Sequence, residues 1–204
     1  MSTATTPRWK RLEPDARREQ ILACALRLFG ERPFAAVSTT DIAREAGVAR
    51  ALINHYFGTK KDLYLEVIRV MVVIPEWAVE RLPEGDLASR VDASVSYFLD
   101  VVSRHSTSWL AAVRAGGGRD FDVDRLLAEA DEVAVDRLLV AVGLADAAGH
   151  RAESRGMIRA YLGLAKATAR EWLEHGVLTR GQVHLLLATT LITLVEKVFP
   201  QAGE

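Results

Sequence analysis

Ser38-Thr-Thr-Asp-Ile-Ala-Arg-Glu-Ala-Gly-Val-Ala-Arg-Ala-Leu-Ile-Asn-His-Tyr-Phe57 is the stretch on which the reading of this chain turns. Ser38 followed three residues later by Asp41 is a capping-box-like start, so a short helix begins here and reaches about Ala46. Gly47 breaks it. A second short helix is expected over about Arg50–Tyr56, ending before Gly58. Two short helices that cross steeply need small residues where they touch and a glycine where the chain turns between them. Ile42, Ala43 and Ala46 meet the first demand from one side. Val48, Ile53 and either Tyr56 or Phe57 meet it from the other, and Gly47 meets the second. The segment 38–57 therefore reads as a helix-turn-helix.

With those residues turned inward, the second helix shows Ala49, Arg50, Ala51, Asn54 and His55 outward. A face of polar and small residues suits a major groove. Arg50 has the fork for guanine, Ala51 can touch a thymine methyl, and Asn54 can read adenine or hold a phosphate. Thr39, Thr40 and Lys60 stand where a phosphate backbone would pass. The competing reading is a helical hairpin whose polar face is only solvated.

Outward from this segment the spacing stays helical and no β alternation is sustained. A helix from about Pro14 to Glu31 carries Ile21, Leu22, Ala25, Leu28 and Phe29 on one stripe, and Pro33 ends it. Thr59-Lys-Lys-Asp62 repeats the capping pattern and opens a helix through Leu63, Val67 and Val70 toward Pro75. Longer helices follow at about 86–104, 105–115, 121–143, 150–175 and 180–198.

Bulk composition narrows the classes. The 204 residues are 50% hydrophobic, enough for one or two domains with a substantial core. Net charge is −1, but residues 1–70 hold 12 Lys/Arg against 8 Asp/Glu, while 71–204 hold 14 against 19. A basic first third joined to an acidic remainder suits a nucleic-acid module attached to something else. Cys24 is the single cysteine, placed beside the first helix's apolar stripe as a small core residue; intrachain disulfides are excluded. No signal-peptide core opens the chain, and Leu185–Val195, 11 residues with three threonines, is the longest strongly apolar stretch. A bilayer needs about 20, so no membrane partner and a cytoplasmic location are expected. The five histidines show no metal-ligand spacing, and Gly116-Gly-Gly-Arg119 lacks the Lys-Ser/Thr of a phosphate loop. No catalytic constellation, metal or cofactor is indicated.

Three ordered blocks then carry a family resemblance: Arg18-Glu-Gln-Ile-Leu-Ala-Cys-Ala-Leu-Arg-Leu-Phe29, Ser38-Thr-Thr-Asp-Ile-Ala-Arg-Glu-Ala-Gly-Val48 and His55-Tyr-Phe-Gly-Thr-Lys-Lys-Asp-Leu63. Together they resemble the amino-terminal domain of the TetR/AcrR transcriptional regulators over about residues 14–70. The resemblance implies an all-α homodimer, with a three-helix DNA-binding domain and a helical-bundle ligand-binding and dimerisation domain. It implies repression of a palindromic operator in double-stranded DNA until a small-molecule ligand intervenes. On this division residues 1–13 are a flexible basic arm, in which Lys10 and Arg11 either reach the minor groove or are solvated. Residues 14–62 are the DNA-binding domain and 63–204 the remainder. The DNA-contacting set is then Thr39, Thr40, Ala49, Arg50, Ala51, Asn54, His55, Tyr56 and Lys60. Three positions depart from the family's habit: Pro33 replaces a glycine, Ala49 cannot cap, and Asn54 replaces a frequent phosphate-contacting tyrosine.

In the second part Tyr97, Phe98, His105, Trp109, Arg114 and Tyr161 are candidates to line a ligand cavity. Trp172 belongs with the aromatic set, and Arg159 with the isolated polar groups that could orient a ligand. Val183–Val195 is apolar nearly all round, which fits a helix packed on its own domain by one side and on a second copy by another; the alternative is a helix fully buried within one subunit. Ile158, Leu162, Ala165, Ala169 and Trp172 on the preceding helix, with Leu187, Leu191 and Leu194, are the expected dimer interface. A helical protein-interaction or ligand-sensing module that does not bind DNA is the alternative to a DNA-binding regulator.

Overall fold

A computed structural model describes residues 14–115, 120–144 and 151–201. The expected arm at 1–13 and the 116–119 loop lie outside them. The described residues form α-helices with no strand. They are α1 (Pro14–Glu31), α2 (Thr39–Glu45), α3 (Arg50–Phe57), α4 (Lys60–Val72), α5 (Trp77–Glu80), α6 (Leu87–Arg104), α7 (Ser106–Ala115), α8 (Phe121–Ala141), α9 (Arg151–Leu173) and α10 (Arg180–Thr193). A 3-10 turn follows Pro33 at Phe34–Ala36, and α10 continues as a π-helical turn, Leu194–Val198. Neither that turn nor α5 is legible in the spacing. The chain divides into two compact units after Tyr64, within α4.

In the first unit local chemistry sets each helix end. Ser38 Oγ accepts from the Asp41 amide at 3.1 Å, and the Asp41 carboxylate accepts from the Ser38 amide at 3.0 Å. Hydrogen bonds from Ser38 hold the Asp41 carboxyl below its usual value. Thr59 and Asp62 repeat the exchange at 3.1 and 2.8 Å and start α4. Gly47 sits at φ +60°, so Val48 N–H can reach back to Ala43 O at 2.9 Å and close α2. Ile21, Ala25, Leu28 and Phe29 of α1 join Ile42 and Ala43 of α2, its C-cap Ala46, and Ile53 and Phe57 of α3 in the core. Phe57, rather than Tyr56, is thus the buried aromatic of α3; Tyr56 is half-buried. Cys24 is also only half-buried, not a core residue, and burial raises its thiol pKa.

The second unit is a bundle in which α10 packs on α6 and α9, and α8 packs on α9. Val91, Val95 and Leu99 of α6, Val135 of α8, Ile158, Tyr161 and Ala165 of α9, and Val183, Leu187 and Leu191 of α10 fill its core. This corrects the expected dimer face. Ile158, Ala165, Ala169, Leu187 and Leu191 are at most 5% exposed within one chain and have no surface left for a partner. The continuous helical run Arg180–Gln201 has 22 residues and an 18-residue window of mean hydropathy 1.5, long and apolar enough by composition alone to cross a bilayer. The expected 11-residue stretch therefore understated it; its Val183, Leu187 and Leu191 are committed to the core.

Ion pairs tie α8 to α9. Glu132 accepts from Arg159 Nε at 2.6 Å and from Arg155 at 2.6 Å, and Arg155 also pairs with Asp136. Lys166 meets Asp131 at 2.5 Å. The Arg159 hydrogen bond, reinforced by Arg155, holds the Glu132 carboxyl down to about 2 from an ordinary 4.5. A carboxylate with a depressed folded pKa contributes stability that is present above the ordinary value and is lost as pH falls through the folded one. The melting temperature is therefore expected to fall more steeply in the natural chain than in Glu132→Gln as pH drops from 4.5 toward 2. Equal slopes would contradict this pairing. Gly47→Ala meets no atom within 4 Å, so its cost is the positive φ alone. Urea unfolding should report a loss of about 1–2 kcal/mol.

Candidate nucleic-acid interface

Ala49, the N-cap of α3, has an extended backbone (φ −70°, ψ 139°) and makes no side-chain cap, as its lack of an oxygen dictates. Ile53 and Phe57 anchor the inner side, and the Arg18 guanidinium lies 4.9 Å over the Phe57 ring. Ala49, Arg50, Ala51, Asn54 and His55 are all exposed. They present one continuous polar and small-residue face. Tyr56 stacks edge-on against His55, with ring centroids 5.2 Å apart. The outer face of this eight-residue helix is solvent-exposed.

At the edge of that face Arg50 Nε donates to Thr39 Oγ1 at 3.1 Å, joining the first residue of α3 to the first residue of α2. Thr40 is exposed beside it. Lys60 Nζ sits 4.0 Å over the Phe34 ring, which packs in turn on Tyr64 (4.8 Å) and Phe29 (6.0 Å). The aromatic platform under Lys60 was not expected from spacing, because it unites residues from three segments. Gln20 was likewise missed: its Nε2 donates to Ala46 O at 3.0 Å and ties α1 to the end of α2. The sequence held only one cue to it, a polar side chain directly before Ile21 of the apolar stripe.

The second unit contains a cavity of about 880 Å³. Tyr97, Phe98, His105, Trp109 and Tyr161 line it, as expected, joined by Trp77 of α5. Trp77 and Tyr97 pack edge-to-face at 5.7 Å, and Phe98 and Trp109 at 6.4 Å. Arg114 does not reach the wall; it pairs with Glu174 at 2.7 Å. Arg159 is held by Glu132, and Trp172 packs against the Trp109 cluster. Burial lowers the His105 pKa, favouring neutral imidazole, and raises that of the Tyr97 phenol. Tyr161, with its pKa raised by burial, donates its hydroxyl proton to Leu187 O at 3.2 Å. Among the charged wall residues Lys166 pairs with Asp131, Arg137 Nη1 with Glu76 at 3.2 Å and Arg69 with Glu66 at 3.6 Å, while the buried Arg137 Nε has no hydrogen-bond partner among the described residues.

Similarity to known proteins follows the same two-part division. Residues 21–67 match the family of bacterial regulatory proteins of the tetR type, and residues 87–196 match a tetracyclin repressor-like C-terminal domain. The HTH-type transcriptional regulator BetI of Agrobacterium fabrum is 48% identical over 61 residues, covering 30% of this chain and 29% of that protein. BetI of Rhizobium meliloti is 43% identical over 61 residues, 30% of each chain. The match thus spans under a third of these relatives' length. Among solved structures, a tetR-family transcriptional regulator from Streptomyces coelicolor has a TM-score of 0.74 at 23% identity, covering 94% of this chain and 87% of that one. A TetR-like transcriptional regulator from Rhodococcus sp. RHA1 has a TM-score of 0.63 at 20% identity, covering 95% and 100%. Those two likenesses concern the fold. With the C-terminal family model alone spanning more than half of its length, this chain belongs to the TetR family of bacterial regulatory proteins.

Proposed function

We propose that the protein is a sequence-specific DNA-binding transcriptional regulator, a homodimeric repressor released from a palindromic operator by a small molecule. The observation that carries this reading is the outer face of α3, where Arg50, Ala51, Asn54 and His55 are all exposed while Ile53 and Phe57 fix the helix in place. Arg50 reads a guanine, Ala51 packs on a thymine methyl, and Asn54 takes adenine or a phosphate. Thr40 and Lys60 position the protein on the backbone, whereas the Thr39 hydroxyl is engaged by Arg50. The Phe34 face holds the Lys60 ammonium at the edge of α3, and the ammonium protons not turned to the ring can meet a phosphate. The two reading helices of a dimer would address half-sites about 34–36 Å apart, or a small multiple. Such a protein acts on DNA in the cytoplasm.

For the dimer, the support has moved to different residues from those first expected. Leu185 is 68% exposed and Leu186 42%, next to exposed Thr189 on α10. On α9 the exposed residues include Gly156, Ala160, Gly163 and Ala167, one small-residue stripe that lets a second helix approach closely. These are the face a second copy would cover, whereas the expected Leu162, Trp172 and Leu194 pack against the core of their own chain. For the effector, the cavity supports a mainly apolar molecule. Aromatic faces, the unpartnered Arg137 Nε and a few neutral polar groups such as His105 and Tyr97 are there to orient a ligand.

Mobility-shift titration against DNA upstream of its own and adjacent genes tests the reading. Binding should weaken steeply as salt rises, because neutralised phosphates release counterions. Arg50→Ala should lose about 1–3 kcal/mol of discrimination at one base pair per half-site, whereas Lys60→Ala should weaken every sequence alike and flatten the salt slope. Binding indifferent to salt, or absent on every duplex offered, would remove the DNA-binding reading. Leu185→Glu should shift the protein from dimer to monomer in size-exclusion chromatography with its helical circular dichroism unchanged. A dimer that persists would place the interface elsewhere.

A further inference from the structure

Arg50 does not enter its proposed role as a free arginine. Its Nε proton is already directed to Thr39 Oγ1, 11 residues earlier and on a different helix. A guanidinium has five donors in a planar fork, and using Nε leaves the two terminal amino groups pointing away from the anchor. Those two are the pair that can meet guanine O6 and N7 together. Thr39 is also β-branched, so its hydroxyl has few directions open to it and is a firmer support than a serine in the same place. The α3 helix has no capping side chain at Ala49, so this bond is a direct side-chain link between the start of the reading helix and α2. Thr39 itself is only half-exposed, whereas Arg50 is exposed.

We propose that Thr39 is a positioning residue for base recognition, fixing the plane of the Arg50 guanidinium so that both terminal amino groups address one guanine. This rests on the DNA-binding reading above and adds a residue role to it. In the free protein the bond lies at the surface and water competes for it. In a groove the water is excluded, and the same bond holds the fork in register. Without the anchor, Arg50 still reaches the base edge, but it must be immobilised from a wider set of rotamers. That cost is roughly a factor of 2–10 in binding for one long side chain. It falls on the guanine-containing site, where the fork is used, and not on DNA bound through phosphates alone. Thr39 thereby sets how sharply one base pair is read and leaves general DNA affinity untouched.

The test uses the full-length protein and a duplex library with a randomised core. Selection with the natural chain defines the site, and Arg50→Ala identifies the base pair whose preference depends on Arg50. Competition titrations then compare the matched duplex with duplexes substituted at that base pair and elsewhere, for Thr39→Val and Thr39→Ser. Thr39→Val keeps the shape and removes the acceptor. It should lower the matched-to-mismatched ratio at the Arg50 base pair roughly 2–10-fold and leave ratios at other positions and binding to unselected DNA unchanged. Thr39→Ser, which retains the acceptor, should recover most of that ratio. In the double variant Arg50→Ala with Thr39→Val, discrimination should be no worse than in Arg50→Ala alone. Uniform weakening on every duplex by Thr39→Val would overturn the proposal, leaving Thr39 a phosphate contact. So would an unchanged ratio, or Ser and Val behaving alike. Enrichment of no site by the natural chain would instead defeat the DNA-binding reading, and the proposal with it.

Discussion

The structure of the first unit depends on one close helix crossing. Ala43 and Ala46 are small enough for α2 and α3 to approach, Gly47 takes the positive φ that lets the chain double back, and Ile42 and Ile53 fill the space this creates, both fully buried. Burying each isoleucine contributes about 1.5–3 kcal/mol, and the contact fixes rotation as well as position. With Ile53 and Phe57 turned inward, helical spacing leaves Arg50, Ala51, Asn54 and His55 no choice but to face out. The exposed face of α3 is thus a consequence of the core. A larger side chain at position 43 would push α3 away and turn that face without touching any residue on it.

What could be read from the sequence was what local chemistry decides. Ser38 with Asp41 and Thr59 with Asp62 are three residues apart, so the capping exchanges that start α2 and α4 are visible as patterns. Gly47 and Pro33 punctuate in the same local way. The three helices of the first unit and the outward set on α3 followed from these few signals. The long helices of the second unit were equally legible in extent, because 3.6-residue spacing over 18–23 residues leaves little room for error.

Long-range pairing was not legible. A helix apolar nearly all round has no polar face to say which side meets its own chain, so Leu187 and Leu191 were assigned to a partner when α6 and α9 already cover them. The exposed pair Leu185 and Leu186 is one or two positions away, a rotation that spacing does not encode. Arg114 looked available for a ligand until Glu174, 60 positions later, was placed beside it. Lys60 over Phe34 and Arg50 on Thr39 have the same origin: each partner is distant in sequence, and an exposed cation carries no pattern that names its neighbour. The cavity fell between these cases. Its aromatic residues were recognisable as a set, but Trp77 came from a four-residue helix too short to leave a period.

The central claim is that α3 lies in a major groove with Arg50 against a guanine. Methylation interference on the selected duplex addresses it most directly, since a methyl on guanine N7 stands in the major groove and one on adenine N3 stands in the minor groove. The account predicts that N7 methylation of one guanine in each half-site abolishes binding by the natural chain, and that this interference disappears for Arg50→Ala. Interference confined to adenine N3, or N7 interference that Arg50→Ala leaves in place, would contradict it.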